Sequence, residues 1–398
     1  MITSTKKRLA LGLVVTAAVA AASIGGPAKA DPKQYSAAVG VGSDTVQAVM
    51  NAMAGNSNNV NYTPIQSDAA SGNRQVVSFD ATGSTCISPK INFGTFTRPN
   101  GSTQGRRALS RAIDGTKYGS AACGGVIDVG GEVDFARSSA GPAAGDTGTA
   151  LTYIPFGRDA VSFAYYQKTS TATSPTITTL SQAQLVSLFS TGPQTIGGTR
   201  IVPCGIQLGS GTYNFWLGIT SGNTAATEAA AVATCLPFGN TATLGGRLEE
   251  NDALALKNAG DALAASSAAE ANTEVIIGFS AANYAAESNG VSAGTAPQSV
   301  NVGIGSETGL TNPLNGTAGA YTPNATFYAS TTFGRNVYTV WDSNVITGLG
   351  NADLKSLFVG STSSLCNAVS TINTFGFLGL GANCGTTTTK GSLIAGQL

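Results

Sequence analysis

Three short turns in this sequence carry residues of the kind that hold a small anion. Gly42-Ser43-Asp44-Thr45, Gly101-Ser102-Thr103 and Gly209-Ser210-Gly211-Thr212 each set small hydroxyl residues at an expected helix start, where free backbone N–H groups and the helix dipole attract negative charge. Ser and Thr are also the preferred N-cap residues, so one such turn alone reads as a cap. Three in one chain shift the balance toward a binding chemistry built from hydroxyls and amides. Their spacing along the chain does not say whether they meet in space.

Other chemistries find less support. With no histidine among 398 residues, Ser-His-Asp and Cys-His nucleophiles and imidazole zinc sites are excluded. No Ser-x-x-Lys motif stands before a recognisable serine–lysine site. Glu249, Glu250 and Asp252 could suggest calcium, but no alternating Asp/Asn loop follows, and a solvated helix face is the plainer reading. Tyr213, Phe215 and Trp216 could stack on a sugar, although aromatics at a helix start usually enter the core. No catalytic residue, cofactor or metal ligand is expected.

The elements that position these turns alternate strand and helix, as in α/β folds. Tyr35 to Gly42 reads as a strand, followed by an apolar stripe at Val46, Val49, Met50 and Met53. A helix is expected from Gly101-Ser102-Thr103 to Ile113, and a buried strand at Val133 to Ala136 that runs into Arg137-Ser138-Ser139. Thr152 to Tyr166 reads as a strand pair broken at Pro155 to Asp159, and Thr326 to Trp341 as a second long strand-like segment; both could cross between lobes. Ser181 and Gln184 form a capping box before Leu185, Leu188 and Phe189. Leu354, Leu357 and Phe358 form a shorter stripe. Leu248 to Ala269 is the longest helical stretch, Val275 to Phe279 a buried strand, and the Gly- and Thr-rich tail after Cys366 is expected on the surface.

Residues 1–30 read as a secretory signal: Lys6, Lys7 and Arg8, an apolar run from Leu9 to Ile24, and Ala28-Lys29-Ala30 before a cut after Ala30. Four of the 21 basic residues and none of the 21 acidic ones lie in that segment, so its removal leaves a net charge of −4. With 11% charged residues and balanced signs, the basic footprint of nucleic-acid binding is missing. Export permits disulfides. The six cysteines allow 15 pairings, but they fall as three close pairs, and short loops close most easily: Cys86 with Cys123, Cys204 with Cys235, Cys366 with Cys384. Cys-x-x-Cys metal spacing is absent.

The succession GVGSDTVQAVM, PNGSTQGRRAL, VDFARSSAGP, LTYIPFGRDAVSFAYY, TLSQAQLVSLF, GSGTYNFW and VIIGFSAANYAAESNG resembles, in order and spacing, the phosphate-binding, type II periplasmic solute-binding components of ABC transporters, in particular secreted forms from Gram-positive bacteria. The resemblance covers nearly the whole chain after residue 30. It implies a two-lobed α/β fold with two hinge strands, lobe one from Asp31 to Phe156 with Thr326 to Leu398 and lobe two over 157–325, closing on a ligand. It maps Ser43, Asp44, Thr45, Ser102, Ser210, Gly211 and Thr212 onto ligand-binding positions.

Two departures matter. The family's DFGASD-like run ends in an aspartate that accepts the proton of hydrogen phosphate, where this chain has Ser139. The arginine that commonly precedes the Gly-Ser-Gly-Thr turn is replaced by Ile206, Gln207 and Leu208. Arg137 is the candidate for the missing positive charge, or else a surface or inter-lobe arginine. Without the acid, preference for phosphate over sulfate should weaken. The expectation is a secreted or cell-wall-associated monomer that captures phosphate or a related oxyanion for an ABC permease. The alternative is a surface protein that has kept the fold but lost transport and acts in adhesion or scavenging.

Overall fold

The computed structural model describes residues 38–55, 76–168, 173–220, 224–348 and 352–398. The expected signal segment and the beginning of the first strand lie outside them. In chain order the elements that matter for the site are β1 (Ala38–Gly42), α1 (Gln47–Met53), β2 (Val76–Ser78), α2 (Ser102–Asp114), β3 (Phe135–Ser138), β4 (Leu151–Gln167), α3 (Gln182–Thr191), β5 (Thr199–Pro203), α4 (Gly211–Thr220), α5 (Ala253–Ser266), β6 (Glu274–Ser280), α6 (Ala281–Ser288), β7 (Gly334–Asp342) and α7 (Ala352–Phe358). The fold is α/β. Its main sheet runs β5-β6-β4-β7-β3-β1-β2, with a short strand at Gln194–Ile196 beyond β5. The pairs β1–β2, β1–β3 and β5–β6 are parallel, and the pairs through β4 and β7 are antiparallel.

β4 is the spine. Its first ten residues, Phe156 excepted, pair with β7, from Leu151 opposite Asp342 to Ala160 opposite Gly334, and Val161 to Gln167 pair with β6. Nearly every residue along it is buried, as expected of a strand covered on both faces. The break anticipated at Pro155 to Asp159 does not occur. Pro155 lacks an N–H for the ladder, and the register shift beside it accommodates this: Tyr338 faces Pro155 and Val337 faces Gly157, leaving Phe156 as an extra residue. The second crossing segment starts with a short helix, Ala325–Tyr328, and becomes strand only at Gly334.

Buried side chains gather in three clusters. The largest draws on residues between Ala160 and Phe333, including Phe163, Trp216, Leu256 and Phe279. The other two, around Trp341 and Phe135 and around Phe96 and Tyr118, are built from residues on either side of that stretch, with Ala282 and Ala286 of α6 joining the first of them. The capping box of α3 forms as expected, with Ser181 and Gln184 exchanging bonds. The helical reading of Leu248 to Ala269 was too long: the helix begins at Ala253, where Asp252 caps it by accepting from Ala255 N at 2.9 Å. The tail after Cys366 is not merely a surface strand. It buries Phe375 and Phe377 and adds Leu378–Gly379 and Thr389–Gly391 to β4. All three disulfides pair as the close-pair rule anticipates. Among the described residues no helix is long and apolar enough to cross a membrane.

Candidate functional site

The three glycine–hydroxyl turns converge. β1 leaves the sheet at Gly42, where φ is +103°, and a Cβ there would lie 2.8 Å from the Cα of Gly105. This glycine pair lets α2 lie against the end of β1. Ser102 opens α2 and Ser139 follows β3; Ser139 N donates to Ser102 Oγ at 3.0 Å, and the two hydroxyls are 3.2 Å apart. The third turn sits directly on them. A Cβ on Gly211 would fall 2.4 Å from both Ser102 Oγ and Ser139 Oγ, and Thr103 N donates to Gly209 O at 3.0 Å. Ser210 Oγ accepts from Tyr213 N at 3.0 Å and so caps its own helix.

Thr45 is the hub. Its Oγ1 lies 3.1 Å from Thr212 Oγ1 and donates to Glu250 Oε1 at 2.9 Å, while its backbone N donates to the same Oε1 at 3.2 Å. Asn251 Nδ2 donates to Thr45 Oγ1 at 3.3 Å and to Asp44 Oδ2 at 3.2 Å, and Asn283 Nδ2 donates to Thr45 O at 3.3 Å. Arg335, on β7, gives its Nη2 to Thr212 Oγ1 at 2.8 Å and to Asp159 Oδ2 at 2.8 Å, with Nε also on Asp159 Oδ2 at 3.1 Å. Asp159 Oδ1 accepts from Ser280 Oγ at 2.9 Å and Ala282 N at 3.2 Å. Residues from β4, β6, β7, α4, α6, the turn before α1 and the segment before α5 thus meet within one hydrogen-bonded network.

Carboxylates crowd this network. Burial pushes the Glu250 carboxyl up, with Glu249 adding to the effect and Arg335 and the Thr45 bonds opposing it. Asp44 is also raised, by burial first and then by Glu250. Glu249 is pushed up to about 7 by burial although it accepts from Asn100 Nδ2 and Gln207 Nε2, both at 2.7 Å. Three polar atoms near Thr45 are buried without a partner among the described residues: Ser43 Oγ, Glu250 Oε2 and Arg335 Nη1.

Several expectations change here. Arg137 is fully buried, but its fork is spent on the chain: Nη2 on Gly42 O and Nη1 on Ser78 Oγ, both at 2.7 Å, and Nε on Ser43 O at 3.3 Å. It braces the end of β1 and is neither a surface arginine nor aimed at Thr45 and Thr212; burial lowers it to about 10. Glu249 and Glu250 are not a solvated helix face, since they precede α5 and Glu250 is 2% exposed. Tyr213 and Trp216 enter the core as expected, while Phe215 lies under the Arg335 guanidinium at 5.4 Å. Among the described residues no group of three or more acidic, Cys or His side chains could hold a metal ion.

Sequence reasoning missed Arg335, Asp159, Glu250, Asn251, Ser280 and Asn283. A signal existed for the first two. Arg335 is the one charge in residues 326–341 and Asp159 the one acid in β4, both segments otherwise suited to burial, and buried charges occur in pairs.

No protein-family model and no curated protein matches this chain. Among solved structures it is similar to a putative phosphate ABC transporter substrate-binding protein from Clostridium perfringens, at 12% identity and TM-score 0.44, over 86% of this chain and 99% of that one. It is likewise similar to an ABC-type phosphate transport receptor from Vibrio cholerae, at 14% identity and TM-score 0.43 over 86% and 99%. The same holds for PstS from Borrelia burgdorferi, at 14% identity and TM-score 0.39 over 86% and 98%.

Proposed function

We propose that this chain is an extracellular solute-binding protein that captures a small tetrahedral oxyanion, phosphate foremost, between the two ends of its sheet and presents it to a membrane permease. The observation that supports this reading is the meeting of Thr45, Ser102, Gly211 and Thr212, drawn from three turns far apart in sequence, with Ser139 just past the end of β3, within direct hydrogen-bond or van der Waals reach. Hydroxyls and amides held this way bind an anion through many directed donors, which strengthen when water is excluded. The binding residues we assign are Ser43, Asp44, Thr45, Ser102, Ser139, Ser210, Gly211 and Thr212, and the chain carries out no covalent chemistry. Thr45 to Thr212 is the line on which the two lobes, bounded near Phe156 and Thr326, close.

One observation favours a second reading, a surface protein that keeps this fold without transport: Thr45 N and Oγ1 already donate to the chain's own Glu250. Thermal unfolding of the protein, refolded to strip carried-over ligand, separates the two. A ligand at about a thousand times its dissociation constant adds roughly 4 kcal/mol, a shift of several degrees for a chain of this size. A rise in midpoint with millimolar phosphate supports capture; no rise with phosphate or sulfate leaves the second reading.

A further inference from the structure

Thr45 has two donors to give an anion, its backbone N–H and its hydroxyl, and both point at one oxygen of Glu250, at 3.2 and 2.9 Å. A side-chain carboxylate is itself an oxyanion, held here on a tether. Glu250 is 2% exposed, and its second oxygen is buried and unpartnered among the described residues. Beside it stands Arg335, 5% exposed, whose Nη1 is also buried and unpartnered. We propose that Glu250 is a built-in competitor for the oxyanion, and that capture is proton-coupled: a proton taken up by Glu250 releases Thr45 to the ligand. This deepens the oxyanion-capture reading and rests on it.

The surrounding charges require such coupling. Asp44 stands in the Thr45 turn, Glu249 beside Glu250, and Asp252 at the cap of α5; Glu287 of α6, raised by its burial, feels both Asp44 and Asp252. Against these, Arg335 from β7 is already bound by Asp159 of β4, and Arg137 from β3 acts on Asp44 while bonded to backbone carbonyls. An oxyanion of charge −2 entering this set is repelled unless a proton enters with it. Burial has already brought Glu250 toward neutrality, so the proton comes at modest cost. By linkage, a ligand that favours the protonated carboxyl also binds more tightly as pH falls.

The test uses sulfate and fluorophosphate, neither of which takes up a proton between about pH 6 and pH 8, so any pH dependence belongs to the protein. Their affinities, with phosphate alongside, are measured by calorimetry on the full protein and on Glu250→Gln. The wild type should gain up to about tenfold in affinity for these two anions per unit fall in pH. The glutamine variant should bind them about tenfold or more tighter at pH 8 than the wild type does and lose that slope. A flat wild-type profile with measurable binding overturns the proposal. So does a variant that binds phosphate more weakly, because Glu250 would then belong to the ligand's own shell. If neither protein binds any of the three anions even near pH 6, the capture reading falls and takes this inference with it. Should the variant fail to fold, the wild-type pH series decides alone.

Discussion

Arg335 and Asp159 face each other across the β7–β4 ladder as a register pair, and their ion pair, with side chains 4% and 0% exposed, connects the two crossing strands to Thr212 on α4. Removing one partner of such a pair leaves an uncompensated buried charge, which typically costs about 3–5 kcal/mol. Arg335→Met should therefore lower the denaturant midpoint strongly, and Asp159→Asn somewhat less, because the amide still accepts from Ser280 Oγ and Ala282 N. Denaturant unfolding followed by fluorescence checks this. Near-native stability in Arg335→Met would mean that the pair is dispensable to the fold.

Thr212→Glu places a carboxylate beside Thr45 Oγ1 and Arg335 Nη2. The new acid can pair with Arg335, so the fold should survive, while any phosphate-induced rise in melting midpoint should vanish by repulsion. An undiminished rise would remove the Gly-Ser-Gly-Thr turn from the site.

Gly211→Ala tests convergence without adding charge. Its Cβ would lie 2.4 Å from both Ser102 Oγ and Ser139 Oγ, so α2 and α4 must part. Overpacking of this kind costs about 1–3 kcal/mol. The expected result is a modestly destabilised protein that no longer responds to phosphate, and an unchanged phosphate response would mean that these serines do not contribute.

Stability should fall as the medium turns from mildly acid to mildly basic. Burial pushes Glu132, Glu249 and Glu274 from the ordinary 4.5 up to about 7. Between those values the folded chain holds protons that the unfolded chain has released, so unfolding becomes easier as pH rises through the window. Asp114 and Glu270, lowered by bonds to Arg111 and Arg200 that outweigh their burial, act in the opposite sense, but only in stronger acid. The melting midpoint at about pH 8 should lie several degrees below that at about pH 5.5. Glu274→Gln should recover part of the difference, and an equal or higher midpoint at pH 8 would contradict the assignment.

The Cys204–Cys235 bridge closes a 31-residue loop beneath β5 and has both cysteines buried. Replacing both with alanine should cost about 2–5 kcal/mol, and more than the same change at Cys86–Cys123, whose sulfurs lie nearer the surface. Peptide mapping without reduction checks the connectivity, and comparative unfolding checks the ranking.

Much of this arrangement was legible in the sequence, for identifiable reasons. Turn chemistry is local: a glycine with positive φ followed by hydroxyls marks the end of β1 and the start of α2 wherever it occurs. The cysteine pairs were readable because loop closure depends mainly on separation. What escaped was non-local. Glu250 looked like one of three acids on a polar helix face, and only tertiary contact shows it seated on Thr45, 205 positions away. Arg137 looked available because sequence does not reveal that the carbonyls of Gly40, Gly42 and Ser43 surround it. The unbroken course of β4 was hidden because a proline and two charges within five residues normally announce a turn, and here a one-residue bulge absorbs them.

That bulge has a mechanical consequence. β4 and β7 belong to one continuous hydrogen-bonded sheet, so the two ends of that sheet are joined through paired strands rather than through a loop. On the two-lobe reading proposed above, a parting of Thr45 from Thr212 would be taken up as extra twist in those strands, concentrated where Phe156 interrupts the ladder. Twist stored in this way would act as a restoring torque, so that the stiffness of two strands, more than any loop, would set how far apart the ends could swing.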